Sequence, residues 1–353
     1  MARDRLRVIS VGLPVVVVII LALVPVACGH TSTSGAGMTG DPTSSTTSAA
    51  TIRDPYEGSR PAVDPIGVVT SGSIDTSDGR SRHYRLYVPA SIDPSTPAPL
   101  VVALHGGLGS AEQFAANSGF DGLAEANGFL VVYPDGIGAA ADDSGARTWN
   151  GGSCCGAAVR LDVDDVGFIA ILIDTVSTEH RVDPARRFAV GHSNGAILAY
   201  RLACQLSDRI VAIGLQSGTL GIDACSPSRP VSVLHLHGGA DTNIPIAGGV
   251  GTGISGVSYR PASVAIDALV DADGCDPLAV VSEDPADRGV KATTWSGCRE
   301  GTEVRFVLVE GATHAWMGHP ATSPGATRLV GDPYLGFDAS RAIWSFLAAH
   351  PRP

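Results

Sequence analysis

Gly191-His192-Ser193-Asn194-Gly195 is the stretch that decides how this chain is read. Residues 187–190 before it form an apolar run suited to a short buried strand, and 196–203 after it fit a helix. A G-x-S-x-G turn between strand and helix lifts one serine hydroxyl above the edge of a sheet. The glycines let the chain reverse without Cβ clashes, and the helix N-terminus that follows favours negative charge near Ser193. The competing reading is a Gly-rich turn that merely contains a serine. The flanking strand and helix weigh against it.

Outward from this turn, several further runs read as strands. Residues 84–88 alternate and precede Pro89, which fits an outer antiparallel strand. Residues 100–104, 129–133, 210–215, 231–236 and 304–309 are continuous apolar runs of the kind buried on both faces of a parallel sheet. Helical patterns cover 111–126, 164–177, 196–205, 262–271 and 338–348. Strands alternating with helices give an α/β class with right-handed crossovers. The expectation is an α/β-hydrolase fold: a mostly parallel central sheet with helices on both faces.

A serine nucleophile needs a base, and the base needs an orienting acid. His314 follows the strand expected over 304–309, at the sheet edge where active groups of such folds gather. His235 and His237 alternate along a strand and are expected to pack and hydrogen-bond there; His319 is the reserve base. Asp241 directly follows His237-Gly238-Gly239-Ala240. An Asp in a Gly-rich turn commonly just forms an Asx-turn, but Ser193, Asp241 and His314 fall in the order nucleophile, acid, histidine. For the oxyanion, His105-Gly106-Gly107-Leu108-Gly109 offers one backbone amide, from Gly107 or Leu108, and Asn194 offers the second. No cofactor is needed. A metal is not expected, since zinc-type C-x-x-C spacing is missing and His235, His237 and Asp241 lack suitable ligand spacing.

The two ends concern placement. Arg3, Arg5 and Arg7 precede an almost uncharged run over 8–27, the pattern of a secretory leader. Val26-Ala27-Cys28-Gly29 resembles a lipobox in which Cys28 is acylated, with Pro25 where Leu is usual; plain secretion and a retained helix are the alternatives. The expected organisation is a leader over 1–28, a flexible Ser/Thr/Gly/Pro-rich tether over 29–66 and one catalytic domain over 67–353. A net charge of −11, with basic patches missing, argues against nucleic acid and anionic membrane surfaces as partners. Membrane contact would run through lipid on Cys28. Seven cysteines leave six beside Cys28, an even number in a chain expected to be exported, so disulfides follow. Proximity pairs Cys275 with Cys298 and Cys204 with Cys225, leaving Cys154 and Cys155 to each other, though other connectivities stay open.

Taken together, His105-Gly106-Gly107, Trp149 through Gly156, Asp164 through Phe168, the Ser193 pentapeptide, His237 through Asp241 and Gly311 through Trp316 resemble the polyhydroxybutyrate depolymerase/feruloyl esterase family of carbohydrate-esterase type. The likeness runs from about Ser71 to the final helix. The leader and tether are similar to those of mycobacterial esterase-like lipoproteins of that family. The resemblance implies an α/β-hydrolase fold, carboxylic-ester hydrolysis, no cofactor, and Ser193, Asp241 and His314 as the triad. It also sets Trp149, Asp165 and Trp316 beside the substrate pocket. Ala312-Thr313 and Met317 depart from the usual Gly-Gly-His-x-Trp-Pro pattern and alter the pocket wall. Polyester depolymerases usually append a polymer-gripping domain; Pro353 closes this sequence, so soluble or envelope esters are expected instead.

The expected activity is that of an exported, lipid-anchored serine esterase acting through an acyl-enzyme. Its substrates are small or oligomeric hydroxyalkanoate, feruloyl or acetyl esters. Its place is extracytoplasmic, on the outer face of the plasma membrane, or secreted. The alternatives are an acyltransferase or peptidase on the same fold, and a non-catalytic lipid-anchored binding protein.

Overall fold

The computed structural model describes residues 54–140, 144–283, 289–321 and 324–353. The expected leader, Cys28 and the tether up to residue 53 lie outside them. Among the described residues, ten strands form one sheet: β1 (Val68–Asp75), β2 (Ser81–Val88), β3 (Ala98–Leu104), β4 (Leu130–Pro134), β5 (Val182–His192), β6 (Ala212–Gln216), β7 (Ser232–Gly238), β10 (Val280–Glu283), β11 (Val290–Trp295) and β12 (Val304–Val309). β8 (Gly249–Val250) and β9 (Ser258–Tyr259) make a separate two-stranded ribbon. The order across the large sheet is β1-β2-β4-β3-β5-β6-β7-β12-β11-β10. The six strands from β4 to β12 run parallel, and an antiparallel pair closes each side.

The helices are α1 (Ala111–Ser118), α2 (Phe120–Asn127), α3 (Gly156–Arg160), α4 (Asp165–Glu179), α5 (Asn194–Gln205), α6 (Ala262–Asp273), α7 (Pro324–Val330) and α8 (Ala339–Ala349). Phe168, Leu172, Leu198, Leu202 and Leu269 place α4, α5 and α6 over one face of the sheet. Phe114, Leu123, Ile343 and Phe346 place α1, α2 and α8 over the other. β3 is apolar throughout and β5 from Phe188 to Val190, where both faces are covered. The helix expected over 111–126 is two helices, because Gly119 takes φ +65° and ends the first turn stack.

The end of the expected tether is not free. The Tyr56 ring packs tilted against Phe337, centroids 6.0 Å apart, and its hydroxyl accepts the Asp338 amide at 2.9 Å. Arg341 donates to the Ser59 carbonyl at 2.9 Å, and the Val63 amide to Gly122 at 3.1 Å. One aromatic ring and a few captured carbonyls suffice to order a segment whose composition alone suggests flexibility. Among the described residues, packing on the body thus extends back to Tyr56, ahead of the boundary expected at 67.

The three pairings Cys154–Cys155, Cys204–Cys225 and Cys275–Cys298 are formed. They fit an oxidising, extracellular compartment. Cys204–Cys225 ties α5 to the loop after β6, and Cys275–Cys298 ties the end of α6 to the turn before β12.

Asp273, at the end of α6, is fully buried; it accepts the Val231 amide at 3.1 Å and the Thr302 hydroxyl at 3.1 Å. Burial raises its carboxyl from 3.8 to about 7, against those two hydrogen bonds. Between these two values the folded state holds a proton that the unfolded chain has released, so this group's contribution to stability falls as pH rises. Asp273→Asn removes that dependence. Its stability relative to the parent should improve between pH 4 and pH 8 by roughly 2–4 kcal/mol, read from urea melts at both pH values. A difference that stays constant with pH contradicts the assignment.

Candidate active site

Ser193 sits at the turn from β5 into α5 with φ +55°, a conformation that L residues seldom adopt. Its neighbours explain the glycines. A Cβ on Gly191 would run into the Gly195 carbonyl, and one on Gly195 into the Leu104 carbonyl of β3. The turn therefore closes only with glycine at both places. The Ser193 amide is held by the Gln216 carbonyl at 3.0 Å.

Asp241 and His314 follow the carboxyl ends of β7 and β12, which are paired in parallel, so the topology brings the two loops side by side. His314 Nε2 lies 2.8 Å from Ser193 Oγ, and His314 Nδ1 lies 2.7 Å from Asp241 Oδ2. The other Asp241 oxygen accepts the Asn243 and Ile244 amides at 2.9 and 3.0 Å. Asp241 thus forms the Asx-turn and holds the imidazole with a single carboxylate. Burial opposes its charge, but the His314 hydrogen bond and charge, the Ile244 amide and His237 prevail and hold the carboxyl well below its ordinary value.

The His314 loop has its own supports. His192 Nε2 donates to the His314 carbonyl at 2.8 Å. Burial drives the His192 ring down to about 3, so it serves as a neutral donor. The Gln216 amide group donates to Ala315 at 2.9 Å and accepts from the Met317 amide at 3.0 Å. Neither residue stood out in the sequence. The signal was available for His192, which is one of the two variable residues of the pentapeptide itself.

His235 and His237 do pack within β7. Ile244 O can only accept, so His237 Nε2 carries the hydrogen at 2.9 Å; His237 Nδ1 then accepts from His235 Nε2 at 2.9 Å, and His235 Nδ1 accepts from Tyr200 Oη at 2.7 Å. This buried chain ends on the loop that carries Asp241.

The expected oxyanion donors need one correction. The Leu108 amide is spent on the Arg147 carbonyl at 2.7 Å. The Gly107 and Asn194 amides find no acceptor among the described residues, and both residues line the cavity at Ser193. The Asn194 side chain grips Trp149 at both backbone groups, accepting at 2.7 Å and donating at 3.1 Å.

The pocket residues taken from the family resemblance are corrected too. Trp149 and Asp165 are both fully buried behind the site. Trp149 donates its indole N–H to the His105 carbonyl at 2.9 Å. Asp165 accepts from Arg82 at 2.7 Å and from the Asn150 amide at 2.7 Å. Their motifs secure the loop that supports the site. Burial pushes the Asp165 carboxyl up, against the pull of Arg82 and the Asn150 amide. Asp165→Ala would strand the buried Arg82 guanidinium at a cost of about 3–5 kcal/mol. Calorimetry should show Tm lower by roughly 10 °C; an unchanged Tm contradicts this reading. Trp316 does border a cavity, although its ring is nearly buried and its indole donates to Ser340 at 2.9 Å.

Among the described residues, Ser193 lines one cavity and a second adjoins it. One of about 350 Å³ is lined by Ser193, His314, Ile244, Tyr259 and Leu329. Another of about 300 Å³ is lined by Asn117, His192, Trp316 and His319. Gly107, Leu108, Leu329 and Val330 border both. His319 faces the second cavity, 3.8 Å from Asp338, while His314 holds the serine. Such a site can hold one part of an ester beside Ser193 and leave room for another in the adjoining cavity.

The profile of the family described as Esterase PHB depolymerase matches residues 82–281, more than half of the chain. The chain belongs to that family. The match contains Ser193 and Asp241, and His314 follows it. Feruloyl esterase C of Emericella nidulans is 28% identical over 275 residues, covering 76% of this chain and 84% of that one. The fungal feruloyl esterase B of Piromyces equi is 27% identical over 236 residues, and the alignment spans only 41% of its length. Among solved structures, acetyl xylan esterase from Aspergillus awamori superposes with a TM-score of 0.52 at 15% identity, over 70% of this chain and 93% of that one. That likeness establishes the α/β-hydrolase architecture for this esterase.

Proposed function

We propose that this esterase hydrolyses carboxylic esters through a Ser193 acyl-enzyme. One observation carries the reading: Ser193 Oγ, His314 and Asp241 stand in one hydrogen-bonded line, at 2.8 and 2.7 Å. His314 Nε2 takes the hydroxyl proton as Oγ attacks the ester carbonyl, and Asp241 stabilises the imidazolium. The Gly107 and Asn194 amides meet the charge that develops on the carbonyl oxygen. One such donor is worth about 2.7–4 kcal/mol in the transition state. His314 then passes the proton to the departing alcohol, and a water that it deprotonates releases the acid. Hydroxyalkanoate, feruloyl and acetyl esters are the substrate classes, as the names of its relatives suggest. A fluorophosphonate probe should label Ser193, and a panel of these three ester types should rank the substrates. A protein that stays unlabelled and inert on every ester refutes the proposal.

The same proposal places the enzyme outside the cytoplasm, held by lipid on Cys28. The three disulfides support the compartment, and the leader pattern of 1–28 supports the anchor. Cys28→Ala should move the protein from the membrane to the soluble fraction. Unaltered membrane retention contradicts anchoring at Cys28.

A further inference from the structure

We propose that Arg160 gives this esterase a subsite for a carboxylate carried by the substrate itself, an inference that rests on the hydrolytic reading above and narrows its substrate class. The cavity beside Ser193 is lined mainly by uncharged groups, among them Ile244, Ile254, Leu329 and Val330. Arg160 also lines it, and among the described residues no Asp or Glu does. Apart from His314, which is committed to Asp241 and Ser193, Arg160 is the ionisable cation in that lining among the described residues.

Arg160 makes no ion pair or hydrogen bond among the described residues. Arg82, Arg85, Arg186 and Arg305, by contrast, pair with Asp165, Asp121, Asp183 and Glu303. The contrast has weight because acidic residues outnumber basic ones by 35 to 24, so carboxylates are plentiful. The mount is firm. Arg160 ends α3, whose Ala157 and Ala158 are buried with Ile137 and Val163. The backbone is fixed, and the exposed guanidinium is left facing the same cavity as the nucleophile.

A guanidinium is a planar fork of donors that matches a carboxylate with two parallel hydrogen bonds. A neutral acetyl or feruloyl ester offers it no such partner. An ester with a free carboxylate a few methylenes from the scissile bond does, and the apolar lining between suits the methylenes. Hemiesters of dicarboxylic acids, and hydroxy-acid oligomers ending in a free acid, have this form. A chain of net charge −11 repels such substrates at a distance. A local cation at the site offsets that repulsion.

The test compares matched pairs of esters on one enzyme preparation, so that any loss of folded protein cancels. On the acyl side, p-nitrophenyl hemisuccinate, hemiglutarate and hemiadipate are each paired with the p-nitrophenyl ester in which a methyl replaces the carboxylate. On the alcohol side, 4-(butanoyloxy)benzoate is paired with 4-methylphenyl butanoate. The inference expects the acid-to-methyl ratio of kcat/KM, in at least one pair, to fall about tenfold in Arg160→Gln. The change should lie chiefly in KM, be partly restored by Arg160→Lys, and shrink in high salt. A ratio that Arg160→Gln leaves unchanged in every pair overturns the carboxylate subsite while ester hydrolysis stands. Absence of hydrolysis on all the esters, the methyl-ended ones included, refutes the hydrolytic proposal instead, and this inference with it.

Discussion

Ser193→Ala is expected to lower kcat by about a million-fold while leaving the fold in place. The substitution deletes one oxygen, the one 2.8 Å from His314 Nε2. Alanine meets the same backbone constraint at φ +55° that serine already tolerates, and the Gln216 carbonyl still receives the residue's amide. Melting temperature should therefore barely move. What remains is polarisation of the ester by the Gly107 and Asn194 amides, which supplies only a small part of the acceleration. Hydrolysis of p-nitrophenyl butyrate, with the melting curve measured on the same sample, decides the matter. A variant that keeps a tenth of the parent activity removes Ser193 from the mechanism.

Asp241→Asn should cost about 10⁴ in kcat, through the imidazole and not through folding. Asp241 Oδ1 accepts two amides, from Asn243 and Ile244, and Oδ2 faces His314 Nδ1. Asparagine satisfies the two amides only with its oxygen in the Oδ1 position, which turns its NH2 toward Nδ1. His314 must then carry its hydrogen on Nε2 and cannot accept the Ser193 proton. The opposite rotamer loses two buried hydrogen bonds. Rapid-mixing kinetics should show acylation slowed, with stability only modestly reduced. Near-parental acylation would mean that Asp241 does not set the tautomer.

Much of this molecule could be read from its residues, for a physical reason. The parallel strands are apolar runs because both faces are covered, and the proposed catalytic groups sit where those runs stop. Ser193, Asp241 and His314 each follow such a run within a few residues. The parts that escaped have weaker local signals. β1 is largely exposed and reads Val-Val-Thr-Ser-Gly-Ser-Ile-Asp, more like a loop than a strand. β10 is a mostly exposed edge strand and β11, between it and β12, is only half-buried, so pairing beyond β12 defines them more than composition does. Gln216, which clasps the His314 loop at both Ala315 and Met317, is about a hundred residues away in sequence, a contact no local pattern encodes. Trp149 and Asp165 show the reverse case. Their motifs were conspicuous, but the residues serve as masonry under the site, and burial alone distinguishes that from a pocket wall.

The chain from Tyr200 through His235 and His237 to the Ile244 carbonyl has a consequence for acid tolerance. Every nitrogen in it is already occupied, one giving and one receiving on each ring, so an extra proton finds no seat. Burial keeps both rings neutral, well under the usual 6.5 for His235 and lowered for His237. The unfolded chain takes up those protons freely once the medium drops below 6.5, and the folded one refuses them, so acidification works against the native state. Because the line ends on the loop that presents Asp241, acid should loosen the triad's own footing before the remainder of the sheet gives way.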